Sequence, residues 1–335
     1  MISFNESRYQ WYQCNSEQAS AQPGVKLTKF IRKKKKKTEK EITMGGSEST
    51  PQTKTPPAEF DKSWRETPWD KKELLEKELK ELKLSDSKVK YIRILLAGEV
   101  GAGKSSFINS VNSVFQRRIT TEALVDNAGA SGISFTRTYS TYYIRNGQSV
   151  LPFVFNDIMG LESGESRGAH QEDIAKAVEG LLKEGHNFNP TASAKNDCKS
   201  ETNLEDLTNC LVYVIAADKV SMMDDDVFRK MRYIRQKASS LGIPQAVIMT
   251  RVDEVCPLVK ENLRHIYHSK KIKDKMQECS NSVGVPVSHI FPVKNYHEEI
   301  DTKNDMDVLI LRALKHIVLT ADDLVYRRKS GSEKC

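Results

Sequence analysis

From about residue 89 onward, segments with two different spacings of apolar residues alternate along the chain. Short runs rich in β-branched and aliphatic residues have the length and the flanking turns of buried strands. Segments between these runs place apolar residues three and four positions apart, which is the spacing of one helix face. Strands that alternate with helices are typical of βαβ units, so we predict an α/β domain with a doubly wound, mostly parallel sheet and helices on both faces.

The candidate strands are the apolar runs at positions 91–97, 139–144, 150–156, 210–216, 246–250 and 289–293. Residues 104–114 follow the first run and are predicted to form a helix. Further helices are indicated by apolar faces within residues 174–182, 227–238 and 310–321. The polar stretch 186–206 is longer than the usual connection in such folds, so it is predicted to be a surface insertion or a lid.

The amino-terminal part of the chain has a different amino-acid composition. Residues 1–59 are rich in Ser, Thr, Gln and Pro and contain the basic run 32–37, which predicts a disordered basic tail. Such a run can contact nucleic acid, an anionic membrane or a nuclear import receptor, or it can be a solvated tail with no dedicated role. The formal net charge of +7 owes much to this run.

A short connecting segment separates the tail from the predicted domain. Residues 60–87 are predicted to be a docking strap and a short amphipathic helix, because Trp64 and Trp69 bring aromatic mass into a polar stretch. The predicted α/β domain is then expected over residues 88–328, followed by a C-terminal tail over residues 329–335.

The composition excludes several classes of protein. A chain with 38% hydrophobic and 29% charged residues suits a globular protein with a polar segment. No apolar run has the length of a membrane span, and the amino terminus lacks the pattern of a secretory signal. The six cysteines are scattered without the spacing of a zinc site, so they are interpreted as reduced thiols. We therefore expect a cytoplasmic location.

The strongest chemical signal lies between the first predicted strand and the helix after it. Residues 98–105 spell G-x-x-x-x-G-K-S, the pattern of a phosphate-binding loop. Its glycines let the backbone turn tightly and direct amide groups at a β-phosphate. Lys104 would add positive charge toward the β- and γ-phosphates, and the Ser105 hydroxyl would be a ligand for Mg²⁺. The predicted phosphate-binding residues are Gly98, Glu99, Val100, Gly101, Ala102, Gly103, Lys104, Ser105 and Ser106.

A second pattern, D-x-x-G, follows the apolar run at 150–156. Asp157 at the carboxyl end of a strand beside the phosphate loop would hold Mg²⁺ through water, and Gly160 would let a backbone amide meet the γ-phosphate. Thr136 is our candidate for a mobile threonine that senses the metal, with Thr138 as a close rival and a plain loop threonine as the alternative. The predicted metal site is therefore Ser105, Thr136 and Asp157, and the predicted catalytic residues are Lys104 and Thr136.

Two further stretches favour guanine over adenine. Thr250, Arg251 and Asp253 resemble the pattern in which a carboxylate accepts hydrogen bonds from N1–H and the exocyclic amine of guanine. Arg251 stands where Lys is usual, so whether guanine specificity is weakened stays open. After the last predicted strand, the Val293 N–H would face the base carbonyl and Lys294 would border the base. GTP or GDP with Mg²⁺ is the ligand that these patterns predict.

These motifs, in this order, resemble those of the GTPase superfamily of P-loop proteins. Residues 98–111, 157–160, 250–253 and 291–296 are more similar still to the interferon-induced protein 44 family. The resemblance extends over about residues 60–328. It implies a cytoplasmic, interferon-inducible protein with a GTP-binding domain and a part in antiviral or immune responses.

Hydrolysis requires a group that orients water, and many GTPases carry Gln directly after the D-x-x-G glycine. This chain has Leu161 there, which offers no donor or acceptor. We expect slow turnover of GTP, unless a partner, a homodimer contact across the nucleotide face or the loop 163–170 supplies the missing group. Two other interpretations stay open: an ATP-using P-loop enzyme, and an interaction scaffold with weak or lost nucleotide binding.

Overall fold

A computed structural model describes residues 58–123, 136–164, 166–193 and 198–332. The basic run 32–37 and nearly all of the predicted tail 1–59 lie outside the described residues. The described strands are β1 (Ile92–Ala97), β2 (Ser140–Asn146), β3 (Ser149–Asp157), β4 (Cys210–Ala216), β5 (Gln245–Thr250) and β6 (Ile290–Pro292). The described α-helices are α1 (Lys72–Lys80), α2 (Lys104–Gln116), α3 (Gln171–Val178), α4 (Asp225–Ser240), α5 (Val252–Val255), α6 (Pro257–Glu261), α7 (Lys270–Val283) and α8 (Asn304–Ser332).

The described strands form a six-stranded sheet in the order β2-β3-β1-β4-β5-β6. Every neighbouring pair is parallel except β2 and β3, which form an antiparallel hairpin at one edge. The central strands β1 and β4 are almost fully buried, which explains their continuous apolar sequences. The carboxyl ends of β1, β3, β4, β5 and β6 therefore meet at one edge of the sheet.

Helices cover the sheet on both faces, and the predicted fold class is confirmed. Helix α2 packs against β2 and β3 and also contacts α8, which in turn contacts β1, β4 and β6. Helices α3, α4 and α7 form a second group that contacts β1 and β6. Helix α8 continues through Ser332, past the domain boundary expected at residue 328.

The segment before β1 lies along the domain. The Trp64 N–H donates to the Tyr267 carbonyl at 3.1 Å, and the two rings meet edge to face at 5.1 Å. Arg65 donates one hydrogen bond to Ile290 O and one to Val287 O, each at 2.7 Å. Helix α1 packs on α8. Aromatic stacking, a guanidinium fork and helix packing thus hold this segment in place.

The polar stretch 186–206 contains no helix or strand in the part of it that the structure describes. Isolated bridges pair Asn187 with Thr138 and Cys198 with Leu182. The Ser193 hydroxyl donates to the buried carboxylate of Asp173 in α3 at 2.7 Å. These contacts describe a surface insertion beside β2 and α3.

Candidate nucleotide-binding site

The loop between β1 and α2 depends on glycine at its first position. A Cβ atom at Gly98 would lie 2.2 Å from the carbonyl oxygen of Val214 in β4, so only glycine allows this approach. Gly103 has a φ of 94°, in the left-handed region, and directly precedes α2. It offers no side chain to cap the helix, so the first-turn N–H groups of α2 are left for other acceptors.

The Lys104 side chain lies inside this loop. Lys104 is 6% exposed, and its ammonium donates to the carbonyls of Glu99 at 3.2 Å and Gly98 at 3.4 Å. Two backbone amides of the loop have protein acceptors: the Val100 N–H donates to Leu161 O at 3.1 Å, and the Ala102 N–H to Glu99 O at 3.2 Å. Phosphate contacts in this conformation thus fall to Lys104 and to amides other than those of Val100 and Ala102.

Oxygen atoms of the three predicted metal ligands converge. The Ser105 hydroxyl donates to the Asp157 carboxylate at 2.7 Å and lies 3.4 Å from the Thr136 hydroxyl. Thr138 is directed elsewhere, since its hydroxyl lies 3.3 Å from that of Ser140. Carboxylate and hydroxyl oxygens are hard ligands of the kind that Mg²⁺ prefers. These residues therefore fit the ion, and Thr136 has the better position of the two candidate threonines.

The D-x-x-G turn packs directly on the phosphate loop. A Cβ atom at Gly160 would lie 2.6 Å from Cγ2 of Val100, so this position also requires glycine. The Leu161 N–H donates to Gly98 O at 2.9 Å, and the Leu161 side chain is fully buried. Leu161 thus fills the core beneath the loop, in addition to lacking a group that could orient water.

The residues after Leu161 are fixed by contacts with helix α4, and the sequence did not indicate these contacts. Lys230 is 7% exposed, and its ammonium donates to the carbonyls of Glu162 and Gly164, both at 2.7 Å. The Ser163 hydroxyl donates to Asp224 at 2.9 Å, and the Gly164 N–H donates to Asp226 at 2.8 Å. The amino-terminal end of α4 is therefore an anchor for residues 162–164.

The stretch after β5 contacts the phosphate loop from the other side. The Thr250 hydroxyl donates to Ala102 O at 2.7 Å, and an Arg251 guanidinium nitrogen donates to Gly101 O at 2.9 Å. A second guanidinium nitrogen lies 3.6 Å from the Asp218 carboxylate. Thr250 and Arg251 thus join β5 to the phosphate loop, while Asp253 lies one turn further along, in α5.

The predicted contact of Val293 with a base is wrong. The Val293 N–H donates to Met249 O at 2.8 Å and Val293 is fully buried, because β6 pairs with β5 up to Pro292. That hydrogen bond extends the sheet and takes the amide away from the ligand. The next amide along the chain, that of Lys294, is the one that this register leaves for a base carbonyl.

A cavity of about 570 Å³ connects these groups. Its lining includes the predicted residues Gly101, Gly103, Lys104, Ser105, Ser106, Thr136, Thr250, Arg251, Asp253 and Lys294. The other predicted residues do not line it: Gly98, Glu99, Val100, Ala102, Asp157, Gly160 and Val293. Asp157 contacts the lining residue Ser105 through the hydrogen bond between their side chains.

The lining also contains residues that were missed from the sequence, among them Asp218, Asn295 and Glu299. Asp218 follows β4 closely, and an acidic residue just past a buried parallel strand is a signal that could have found it. Asn295 donates from its amide to Gly103 O at 3.1 Å. Glu299 follows the last strand within a polar loop, and nothing in its local pattern sets it apart from Glu298.

Charge and burial shift the pKa of several of these groups. Desolvation raises the pKa of Glu99, against the lowering effect of Lys219 and Lys104. Burial would raise the pKa of Glu299, but hydrogen bonds from the His297 amide and Lys294 outweigh it and lower the pKa to about 2. Burial would lower the pKa of Lys294, yet its contacts with Glu299 and Asp253 raise it.

Known proteins are similar in sequence to more than two thirds of this chain. The chain is 34% identical over 244 residues to human interferon-induced protein 44, covering 71% of this chain and 54% of the relative. It is 30% identical over 242 residues to human interferon-induced protein 44-like, covering 71% and 53%. The mouse interferon-induced protein 44 is 33% identical over 242 residues, covering 71% and 56%.

The chain belongs to the interferon-induced protein 44 family. It spans about half the length of the curated relatives it matches. No family model matches the chain. Family membership agrees with the resemblance of residues 98–111, 157–160, 250–253 and 291–296, and these stretches form the phosphate loop, the D-x-x-G turn and the two segments beside the base end of the cavity.

Two solved structures show a limited likeness to the chain. A probable GTP-binding protein EngB is 14% identical with a TM-score of 0.35, covering 69% of this chain and 98% of that one. Translation elongation factor SelB from Methanococcus maripaludis, in complex with the GTP analogue GppNHp, is 10% identical with a TM-score of 0.34, covering 70% and 34%. Likeness at this level does not bear on function. Separately, none of the helices in the described residues has the length and apolarity of a membrane span.

Proposed function

We propose that this chain is a GTP-binding protein that acts as a nucleotide-dependent switch and hydrolyses GTP to GDP and phosphate slowly. The observation that carries the proposal is one cavity whose lining includes the Lys104 ammonium, the Ser105 hydroxyl and the Asp253 carboxylate. The first two suit a magnesium-bound triphosphate and the third suits guanine. By relation to interferon-induced proteins, we infer a cytoplasmic role in an interferon-induced immune or antiviral response.

In this proposal each part of the cavity has one task. Lys104 leaves the carbonyls of Gly98 and Glu99 and binds the β- and γ-phosphates, while first-turn amides of α2 donate to the β-phosphate. Ser105 and Thr136 would hold Mg²⁺, with Asp157 behind them, and the ion when bound neutralises charge on the β- and γ-phosphates. The segments that carry Thr136 and Gly160 then become ordered when the γ-phosphate is present and are released when it is lost. This change in order is the switch.

The base is read at the other end of the cavity. The Asp253 carboxylate accepts hydrogen bonds from N1–H and the exocyclic amine of guanine, which adenine does not present. The Lys294 amide faces the base carbonyl, and the Arg251 guanidinium lies against the ring plane. Slow hydrolysis follows from the position of Leu161, because a buried leucine neither contacts nor orients water.

Paired titrations of the full chain with GTP and ATP in the presence of Mg²⁺ test the proposal. We expect GTP to bind more tightly than ATP. Asp253→Asn should shift the preference from guanine to xanthine nucleotides, because the NH₂ group of asparagine donates a hydrogen bond where the carboxylate accepts one. Glu261→Gln is the matched control, because Glu261 is an exposed carboxylate outside the cavity lining.

Two other outcomes would each replace the proposal. Equal affinity for GTP and ATP would indicate an ATP-using P-loop enzyme. Absence of magnesium-dependent uptake of either nucleotide at millimolar concentration would indicate a scaffold that has kept the fold and lost the ligand.

A further inference from the structure

Lys294 is bound between two carboxylates at the base end of the cavity. Its ammonium donates to Glu299 at 3.0 Å and lies 3.5 Å from the Asp253 carboxylate. The side chain of Glu299 is only 6% exposed, compared with 14% for Asp253. Lys294 is therefore closer to Glu299, and Asp253 is its secondary partner.

Glu299 is itself held in a fixed position. One of its oxygens accepts the His297 N–H at 3.2 Å, and the other, which accepts from Lys294, lies 3.6 Å from the Lys303 ammonium. The loop that carries Lys294 and Glu299 is fixed by Tyr296, which donates through its hydroxyl to Asp307 at 2.6 Å. A carboxylate with these partners stays ionised and oriented over the neutral pH range, in agreement with its low pKa.

The consequence concerns Asp253. A carboxylate that must accept two hydrogen bonds from guanine loses acceptor strength when an ammonium ion forms a close pair with it. Without Glu299, the nearest carboxylate for the Lys294 ammonium would be Asp253.

We propose that Glu299 is a positioning residue for guanine specificity, which holds the Lys294 ammonium closer to itself than to Asp253 so that Asp253 can accept both hydrogen bonds from the base. This inference rests on the proposed function, because it assigns a role within the same guanine site. Glu299 lies outside the stretches that the sequence predicts to bind the nucleotide, the last of which ends at Lys294.

The test compares GTP with ITP, which lacks the exocyclic amine that Asp253 would accept. Binding of both nucleotides and of ATP is measured with Mg²⁺ on the full chain. In Glu299→Gln we expect the GTP-to-ITP affinity ratio to fall about tenfold, because Lys294 moves onto Asp253. ATP affinity should stay within about twofold, since the phosphate contacts are unchanged. Asp301→Asn is the matched control, because Asp301 is an exposed carboxylate close by in the chain and lies outside the cavity lining.

A double variant separates positioning from a general loss of loop structure. Lys294→Met combined with Glu299→Gln should restore the GTP-to-ITP ratio, because the ammonium that competes for Asp253 is gone. A ratio that is unchanged in Glu299→Gln, or that stays low in the double variant, would overturn the role of Glu299 and leave GTP binding intact. Equal binding of GTP and ATP by the unmodified chain would instead overturn the proposed function itself.

Discussion

At the scale of single residues, Lys104 carries the largest expected effect. Its ammonium is enclosed by the phosphate loop, where it donates to the carbonyls of Gly98 and Glu99. In Lys104→Ala we expect magnesium-GTP affinity to fall by about 1.5–3 kcal/mol or more, which is at least about tenfold. Titration calorimetry measures this. Lys83→Ala, an exposed lysine outside the cavity lining, should bind as the unmodified chain does. Undiminished uptake by Lys104→Ala would contradict the site.

Introducing the usual glutamine at position 161 is not expected to restore fast hydrolysis. Because Leu161 is fully buried, Leu161→Gln would place an amide in the core and should lower the free energy of unfolding by about 1–3 kcal/mol. It should not accelerate hydrolysis. Leu161→Met, which conserves volume, should cost less than about 1.5 kcal/mol. Denaturant unfolding and single-turnover hydrolysis measure the two effects, and a tenfold faster reaction in Leu161→Gln would show that the side chain reaches the γ-phosphate.

The accuracy of sequence-based prediction also varied residue by residue. Ser105, Thr136 and Asp157 lie close together, because the phosphate loop and the strand-ending Asp are local patterns on one sheet edge. Their role as metal ligands stays a prediction. Val293 failed because the contact of its amide depends on the register between β5 and β6. Register is set by tertiary packing and has no local signature in the sequence.

At the scale of elements, α4 controls the segment that follows the D-x-x-G turn. Lys230→Met keeps the length of the side chain and removes both hydrogen bonds to the carbonyls of Glu162 and Gly164. Hydrogen bonds to charged groups contribute about 1.5–3 kcal/mol each, so we expect at least about tenfold faster amide exchange in residues 161–168.

Hydrogen exchange with mass spectrometry measures this effect, and Lys237→Met is the matched control. Lys237 lies on the same helix but pairs with Glu179, which is outside the loop. Unchanged exchange in Lys230→Met would mean that the core contacts of Leu161 hold the segment without α4. A contact of this kind could not be predicted from sequence, because Lys230 and Glu162 are distant in the chain and each looks like an ordinary surface residue.

The strap before β1 is the second element with a measurable contribution. Arg65 donates to Ile290 O and Val287 O and its guanidinium lies 5.0 Å from the Trp64 ring centre. In Arg65→Ala we expect the free energy of unfolding to fall by about 2–4 kcal/mol, since two backbone acceptors and a stacked cation are lost. Lys62→Ala, an exposed position of the same segment, is the control. Equal stability of both variants would show that the strap adds nothing to the domain.

At the scale of the whole molecule, we expect the group that orients water for hydrolysis to come from the assembly of two chains. The buried Leu161 side chain does not replace the absent glutamine, and residues 162–164 are held against α4. A second copy of the chain placed across the nucleotide face is therefore our expected source of the group. A group supplied by a second copy acts only in the dimer, so the reaction rate should follow the dimer fraction.

Single-turnover hydrolysis measured over a range of protein concentrations tests this expectation. The rate constant per bound GTP should rise with concentration and then level off as the dimer saturates. Adding Lys104→Ala chains at fixed concentration of the unmodified chain gives the control. If the group comes from the partner copy, chains that cannot bind nucleotide should still stimulate the GTP-bound ones. Fast hydrolysis that is independent of concentration would place the water-orienting group within one chain and remove the reason for a dimer.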